Sequence, residues 1–160
     1  MSRCILYHSH SGTTRRIAKR VKVACGGDLI EVMPQKKYNA LTVYVLGGYR
    51  AMKGRQDPIE QKKIDVAGYD MVVLGTPVWA GKPTPATNAA IAALQGCEGK
   101  KAIIFATCGG KPGETLDIMK KALEAKGVKV IGVYIFTKND LSDGKRLNEL
   151  IVRVNASMTE

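Results

Sequence analysis

Closely spaced cysteines are missing from this sequence. Its four cysteines, Cys4, Cys25, Cys97 and Cys108, form no Cys-x-x-Cys pair, and its two histidines lie together near the N-terminus. Structural zinc sites usually have ligands at closer spacing. Scattered cysteines in a chain without an export signal are mostly reduced thiols, many of them in the core. The cysteine pattern therefore predicts neither a metal site nor a disulfide.

Long hydrophobic segments are missing as well. The longest apolar runs, such as Val130–Phe136, are far shorter than the roughly 18 residues that span a bilayer. The residues after Met1 show neither the hydrophobic region nor the cleavage site of a signal peptide. We expect no membrane insertion and a cytoplasmic location.

Acidic residues are scarce. Asp and Glu number 14 against 25 Lys and Arg, which gives a formal net charge of +11 at pH 7. Such a charge attracts anions, including phosphates, nucleic acid, anionic lipid and acidic proteins. The basic segment 15–22 is a candidate nucleic-acid patch, but few aromatic residues lie among its charges to stack on bases. The sequence therefore argues against nucleic acid, while charge alone does not choose among the other partners.

The composition is otherwise that of an ordinary folded protein. Apolar residues make up 45% and charged residues 24% of the 160 positions, a balance typical of globular chains. This length corresponds to about one domain and is enough to bury a sizeable core. We expect one domain over residues 1–160.

Strand and helix patterns alternate along the chain. Short apolar runs predict five strands, and apolar stripes at helical spacing predict the helices between them. Strands that alternate with helices imply a parallel sheet covered on both faces, and right-handed crossovers make that sheet doubly wound. Residues 35–69 are ambiguous: Ala40–Tyr49 could be a short helix, and Lys53–Lys63 resembles a polar loop.

Three polar or glycine-rich loops follow the first, third and fourth predicted strands, where ligands bind in a doubly wound sheet. The first loop, Ser9–Thr14, places four hydroxyl side chains around Gly12 and opens a helix. Hydroxyls, a glycine and the first N–H groups of a helix form an anion site. A helix N-cap without a ligand is the alternative, but it needs only one such hydroxyl.

The other two loops add a flat surface and a close approach of backbone. Trp79, the single tryptophan, lies between Pro77 and Gly81, where it can stack on a flat ligand, although chance packing is an equal alternative. The segment Thr107–Gly110 ends in two glycines, which let backbone approach a ligand or simply form a tight turn. Together the three loops predict a phosphate and a planar ring with polar edges, which points to flavin mononucleotide (FMN).

These loops resemble those of flavodoxins. Residues 9–14, Ser-His-Ser-Gly-Thr-Thr, are similar to the flavodoxin phosphate loop T-x-T-G-x-T, with serine at two of the threonine positions. The runs Val72–Gly81 and Phe105–Gly110 are similar to the family's second and third flavin loops. The resemblance covers nearly the whole chain. It implies a flavodoxin-like doubly wound α/β fold with five parallel strands in the order 2-1-3-4-5, helices on both faces and non-covalent FMN.

The resemblance also implies a role for each loop. The first loop would hold the phosphate, with His10 contributing backbone, and Trp79 would flank the isoalloxazine ring. The Ala80-Gly81 peptide would lie near flavin N5, and the backbone of the third loop would meet the pyrimidine edge. The implied FMN-binding residues are Ser9, His10, Ser11, Gly12, Thr13, Thr14, Thr76, Pro77, Val78, Trp79, Ala80, Gly81, Thr107, Cys108, Gly109 and Gly110.

Two features depart from the family pattern. Many flavodoxins cover the outer ring face with a tyrosine from the third loop, and Cys108–Gly110 offers none. Flavodoxins are usually acidic, whereas this chain is strongly basic. The basic charge predicts redox partners with acidic docking surfaces. The candidate docking residues are Arg50, Lys53, Arg55 and Lys82, and the alternative is that these basic side chains only form a solvated face.

Two other families, one with a similar loop and one with a similar fold, lack their characteristic residues in this sequence. A P-loop needs Ser or Thr where Pro83 stands, and a response-regulator receiver needs acidic residues after the first strand, where His8-Ser9-His10 has none. An FMN-dependent NAD(P)H or quinone oxidoreductase would use the same three loops, so it stays open as the alternative. The sequence predicts an electron carrier that needs no catalytic acid, base or nucleophile.

Overall fold

The computed structural model describes residues 2–157 and Thr159, with eight strands numbered along the chain. They are β1 (Arg3–Tyr7), β2 (Asp28–Glu31), β3 (Ile64–Asp65), β4 (Met71–Trp79), β5 (Lys82–Pro83), β6 (Leu94–Gln95), β7 (Lys101–Thr107) and β8 (Lys129–Phe136). The five long strands form one parallel sheet in the order β2-β1-β4-β7-β8. This is the predicted order 2-1-3-4-5, so the flavodoxin-like fold is confirmed.

The three remaining strands are each two residues long. Strand β5 pairs antiparallel with the end of β4 and closes a hairpin. Strands β3 and β6 pair with each other in a separate two-stranded unit.

The helices connect the strands along the chain, and the longer ones cover the two faces of the sheet. They are α1 (Thr13–Cys25), α2 (Gly48–Met52), α3 (Pro85–Ala93), α4 (Thr115–Glu124), α5 (Lys138–Asp143) and α6 (Lys145–Ala156), and a π-helical turn, Val43–Gly47, leads into α2. The ambiguous segment thus contains a short helix that begins at Val43 and continues to Met52. Helix α5 starts with a capping box in which Thr137 and Asp140 bond each other's backbone N–H groups.

The core lies on both faces of the sheet. Leu6, Leu74 and Ile104 belong to one buried cluster, which the apolar residues of α3 and α4 complete. Their neighbours along the strands, such as Ile5 and Val73, belong to the opposite cluster with α1 and α6. Successive side chains of a strand point to opposite faces, so a sheet covered on both faces requires the uninterrupted apolar runs seen in the sequence.

Phe105 makes two close contacts on the face of the sheet that α1 and α6 cover. Phe105 is fully buried and packs edge-to-face on Phe136, with ring centroids 5.9 Å apart. A Cβ at Gly75 would lie 2.2 Å from the Phe105 ring. Gly75 therefore makes room for a ring that no larger residue would accommodate without movement of its neighbours.

The described residues contain free cysteines, no metal-binding cluster and no helix that could span a membrane. Cys4, Cys25 and Cys97 are buried free thiols, and Cys108 is a half-buried free thiol. Within residues 2–157 and Thr159, no group of three or more His, Cys, Asp or Glu side chains lies close enough to hold a metal ion. In the same part of the chain, no helix has the length and apolarity needed to cross a membrane.

Candidate functional site

The carboxyl ends of the three central strands meet at one edge of the sheet. In the strand register, Tyr7 of β1 lies beside Gly75 of β4, and Pro77 of β4 lies beside Thr107 of β7. The three predicted loops therefore converge on a cleft of about 830 Å³, within the usual range for small-molecule sites. Its lining includes His10, Ser11, Thr13, Pro77, Val78, Trp79, Ala80, Thr107, Cys108 and Gly109 from the predicted set.

The first loop presents the N-terminus of α1 to this cleft. Gly12, at φ 96°, turns the chain into the helix and supplies no side-chain cap. Instead, Ser9 Oγ accepts hydrogen bonds from the backbone N–H groups of Gly12 (3.1 Å) and Arg15 (3.3 Å). The first N–H groups of a helix have no intrahelical acceptor, so those of Thr13 and Thr14 remain available for an anion.

Two arginines follow in the first turn of α1, which contains no acidic residue. Arg15 forms an ion pair with Glu31 of β2, with its Nε 3.1 Å from Glu31 Oε1, and a Cβ at Gly12 would lie 3.7 Å from its Nη1. Arg16 lines the cleft. A cation at a helix N-terminus opposes the helix dipole, and an anion in the cleft would offset this repulsion.

The first and third loops are joined by a buried hydrogen bond. Thr14 Oγ1 lies 2.9 Å from Thr107 Oγ1, and both side chains are buried. Thr14 is therefore held by protein, while its backbone N–H still faces the helix end. The third loop continues with Cys108, whose N–H donates to Phe136 O at 3.0 Å and whose Sγ contacts Gly110 O at 3.3 Å. Burial raises the pKa of the Cys108 thiol.

The second loop forms the tight turn between β4 and β5. Ala80 has φ 52° and Gly81 has φ 72°, the two positive values of a two-residue type I′ hairpin turn. Positive φ is costly for alanine, so the surrounding contacts must hold this turn. Gly81 O accepts a hydrogen bond from Glu114 N at 2.9 Å, and a Cβ on Gly113 would lie 2.6 Å from Gly81. Lys82 forms an ion pair with Glu114 beside this contact.

Trp79 stands at the end of β4, with three other rings around it. The ring centroids of Tyr38, His10 and His8 lie 5.2, 5.7 and 5.8 Å from it, and all three rings meet it edge-on. The fourth neighbour is Gly47, where a Cβ would come within 3.0 Å of the indole. The indole is thus fixed by protein contacts while it still lines the cleft.

Tyr38 belongs to a polar cluster that ties down the segment between β2 and β3. Its hydroxyl donates to Asp57 Oδ2 at 2.5 Å, and Arg50 Nε donates to Asp57 Oδ1 at 2.6 Å. Burial, with the Asp57 hydrogen bond, raises the pKa of Tyr38 to about 12. Arg50, one of the docking candidates, is therefore engaged in holding this segment against Trp79.

His8 is a buried polar side chain whose ring also contacts Trp79. Its side chain is 4% exposed, and Nδ1 lies 2.7 Å from Thr84 Oγ1. Thr84 Oγ1 lies 2.8 Å from Thr87 Oγ1, which lies 2.8 Å from Thr76 Oγ1. Burial, reinforced by the nearby His10, lowers the pKa of His8 to about 4. His8 is therefore a neutral hydrogen-bonding group at neutral pH.

The cleft differs in part from the residue set that the sequence predicts. Six of those residues do not line it: Ser9, Gly12, Thr14, Thr76, Gly81 and Gly110. Four of them form hydrogen bonds with other protein groups and so hold the loops in place: Ser9, Thr14, Thr76 and Gly81. Sequence reasoning missed other lining residues because no local motif marks them, namely Arg16, Val43, Tyr44, Gly48, Phe136, Lys138 and Leu141.

Comparison with known proteins places the chain in a family. The sequence model of the Flavodoxin family matches residues 3–153, and the chain belongs to this family. A search of curated protein sequences gave no significant match.

Solved structures share the fold over nearly their whole length. A Bacteroides eggerthii protein assigned as a flavoprotein is similar at TM-score 0.78 and 24% identity, covering 96% of this chain and 97% of that one. A Lactobacillus acidophilus flavoprotein solved in complex with FMN is similar at TM-score 0.66 and 22% identity, over 91% and 97% of the two chains. An apo NADH:FMN oxidoreductase is similar at TM-score 0.67 and 16% identity, over 98% and 90%.

Proposed function

We propose that this chain is a single flavodoxin-like domain that binds FMN non-covalently and carries electrons between redox partner proteins. The observation that supports it best is the meeting of an open helix N-terminus, a fixed tryptophan and a glycine-rich loop in one cleft of a flavodoxin-family fold. Flavodoxins bind FMN at this point of the sheet. The flavin supplies the redox chemistry, and the protein binds and orients it.

The phosphate of FMN would bind at the N-terminus of α1. The donors there are the backbone N–H groups of Thr13 and Thr14 and the hydroxyls of Ser11 and Thr13, which lie 3.3 Å apart. Arg16 adds a positive charge from the cleft wall. Helix N–H groups, hydroxyls and one cation form a donor set that suits a phosphate.

The isoalloxazine ring would lie between the second and third loops. Trp79, Pro77 and Val78 offer apolar surface on one side, and the backbone near Cys108 and Gly109 offers polar groups on the other. The Ala80-Gly81 peptide would lie near flavin N5. Because this turn rests on Gly113 and Glu114, helix α4 would help to position the peptide that faces the ring.

A titration of apoprotein with FMN and with riboflavin tests this assignment. Stacking on Trp79 should quench flavin fluorescence, and unchanged fluorescence at excess apoprotein would contradict FMN binding. Gly12→Val should weaken FMN binding by about tenfold, or about 1.4 kcal/mol, and riboflavin binding by much less, because riboflavin lacks the phosphate.

Gly26→Val is the matched control for that substitution. Gly26 also has positive φ, 74°, and lies at the opposite end of the same helix with open space around it. It should therefore carry the backbone strain without touching the phosphate site. Equal losses of FMN and riboflavin affinity in Gly12→Val would rule out the phosphate assignment.

An FMN-dependent NAD(P)H or quinone oxidoreductase is the second candidate, favoured by the structural similarity to an NADH:FMN oxidoreductase. Anaerobic addition of NADH or NADPH to the FMN complex separates the two functions. A carrier should keep its oxidised visible spectrum, whereas an enzyme should lose it within seconds. The predicted cytoplasmic location and acidic redox partners belong to the carrier proposal and stay predictions.

A further inference from the structure

An apolar ridge borders the cleft. We use this name for six side chains of the helical segment between Leu41 and Met52, each between 49% and 85% exposed. They are Leu41, Tyr44, Val45, Leu46, Tyr49 and Met52. Only three other large apolar side chains of the described residues are comparably exposed, and they are scattered over α1, β8 and α6. Single exposed apolar residues are ordinary, but a contiguous group marks an interaction surface.

The segment has the reverse of the usual helix amphipathicity. The residues it buries are the small ones, Gly47 and Ala51, and Gly47 lies against the Trp79 ring. A surface helix normally buries its large apolar residues and exposes polar ones. Here the small side chains allow close approach to Trp79, and the large apolar side chains are left for a partner.

Positive charges flank the ridge. Lys53 lies over the ring of Tyr49, 5.9 Å from its centroid. Lys36 and Lys37 share a second cavity, of about 420 Å³, with Leu46, and neither forms an ion pair within the described residues. The full chain carries a net charge of +11, so a second copy of itself would be repelled and an acidic surface attracted.

The ridge also lies between two concave surfaces. Val43, Tyr44 and Gly48 line the main cleft, whereas Thr42 and Leu46 line the smaller cavity on the other side. With FMN in the main cleft, a protein surface can still fill the smaller cavity, while a flat lipid surface would leave it open. Tyr and Met are enriched and charges are depleted at the centres of protein interfaces, with a polar rim around them. The ridge and its lysines match that arrangement.

We propose that the apolar ridge docks a redox protein whose contact face is apolar at the centre and acidic at the rim. This inference rests on the proposed electron-carrier function, because the ridge borders the cleft in which the flavin would lie. A partner bound there would cover the mouth of the cleft and come close to the flavin.

The test uses a purified acidic [2Fe–2S] ferredoxin as the probe, with binding to the FMN complex measured by calorimetry at low salt. The double variant Leu41→Ser/Val45→Ser removes two ridge residues that do not line the cleft. It should weaken ferredoxin binding at least tenfold, whereas Val23→Ser/Val152→Ser, equally exposed but on α1 and α6, should change it less than twofold. Val45→Glu should weaken ferredoxin binding more than Val45→Lys does. Added salt should weaken ferredoxin binding by the native protein.

Other results would overturn the proposal. They are an absence of binding by the native protein, equal losses in the ridge and control variants, and native affinity in the ridge variant. A ridge-dependent association with vesicles of phosphatidylglycerol would assign the ridge to lipid instead. A dimer in sedimentation velocity that Leu41→Ser/Val45→Ser dissociates would assign it to a second copy.

FMN affinity is measured on the same variants and should not change. Ferredoxin binding by calorimetry can also be measured on apoprotein. FMN affinity and ferredoxin affinity are therefore measured independently, and a failure of one proposal can be told from a failure of the other.

Discussion

The stability of this protein should fall in mild acid, because folding keeps His8 neutral while the unfolded chain takes up a proton there. His8 is almost completely buried, and Nδ1 is committed to Thr84. Its pKa is lowered from 6.5 to about 4, first by burial and then by the nearby His10. The unfolded chain therefore binds a proton at His8 at a higher pH than the folded chain does. The stabilising effect is complete above pH 6.5 and is lost as the pH falls towards 4.

The expected loss follows from these two pKa values. Between pH 7.5 and pH 5, proton binding to the unfolded form alone should lower the free energy of unfolding by about 2 kcal/mol. This interval avoids most of the titration of Asp and Glu, whose ordinary pKa values lie near 4.

Urea unfolding at the two pH values measures the effect in native protein and in His8→Asn. Asparagine keeps a polar group near the position of Nδ1 but does not titrate, so the variant should lose about 2 kcal/mol less than the native protein over the same interval. His10→Asn, at an exposed position, removes only the smaller of the two causes that lower the His8 pKa, so it should change the pH dependence less than His8→Asn does. Equal pH dependence in native protein and His8→Asn would refute the argument that burial keeps His8 neutral.

Two glycine substitutions test close contacts seen in the fold. Gly75→Ala would place a Cβ against the Phe105 ring and should destabilise the protein by about 1–3 kcal/mol in urea unfolding. Gly68→Ala, where the added Cβ meets nothing, should change stability little, and an equally stable Gly75→Ala would contradict the packing argument. Gly113→Ala would press on Gly81 and should weaken FMN binding by about tenfold. Gly99 has a similar positive φ but open space around it, so Gly99→Ala should retain native FMN affinity. Equal FMN affinities of Gly113→Ala and Gly99→Ala would show that the second loop does not depend on its contact with Gly113.

The sheet and the position of the candidate site could be predicted because their signals are local. Uninterrupted apolar runs such as Met71–Leu74 arise when both faces of a strand are buried. The carboxyl ends of parallel strands lie at one edge of the sheet, so the loops after β1, β4 and β7 had to converge once the strands were recognised. Hydroxyl and glycine side chains in those loops then indicated the ligand chemistry.

The segment between β2 and β3 could not be predicted in the same way. Its apolar residues face outward and its small residues face inward, so its pattern gives no core-facing stripe. Its position depends on Tyr38, Arg50 and Asp57, which bond one another across loops. Such contacts follow from chain packing and leave no period in the sequence.

The sequence by itself determined the alternation of strands and helices, the flavodoxin-like topology and the three loops at the sheet edge. It could do so because side-chain periodicity and loop composition are properties of neighbouring residues. Only the tertiary structure decided that Trp79 is fixed by His8, His10 and Tyr38, and that the Ala80-Gly81 turn rests on Gly113. It also decided that His8 is neutral, because its burial and its bond to Thr84 join residues 76 positions apart. Residues so distant in sequence meet only when the sheet and its helices pack together.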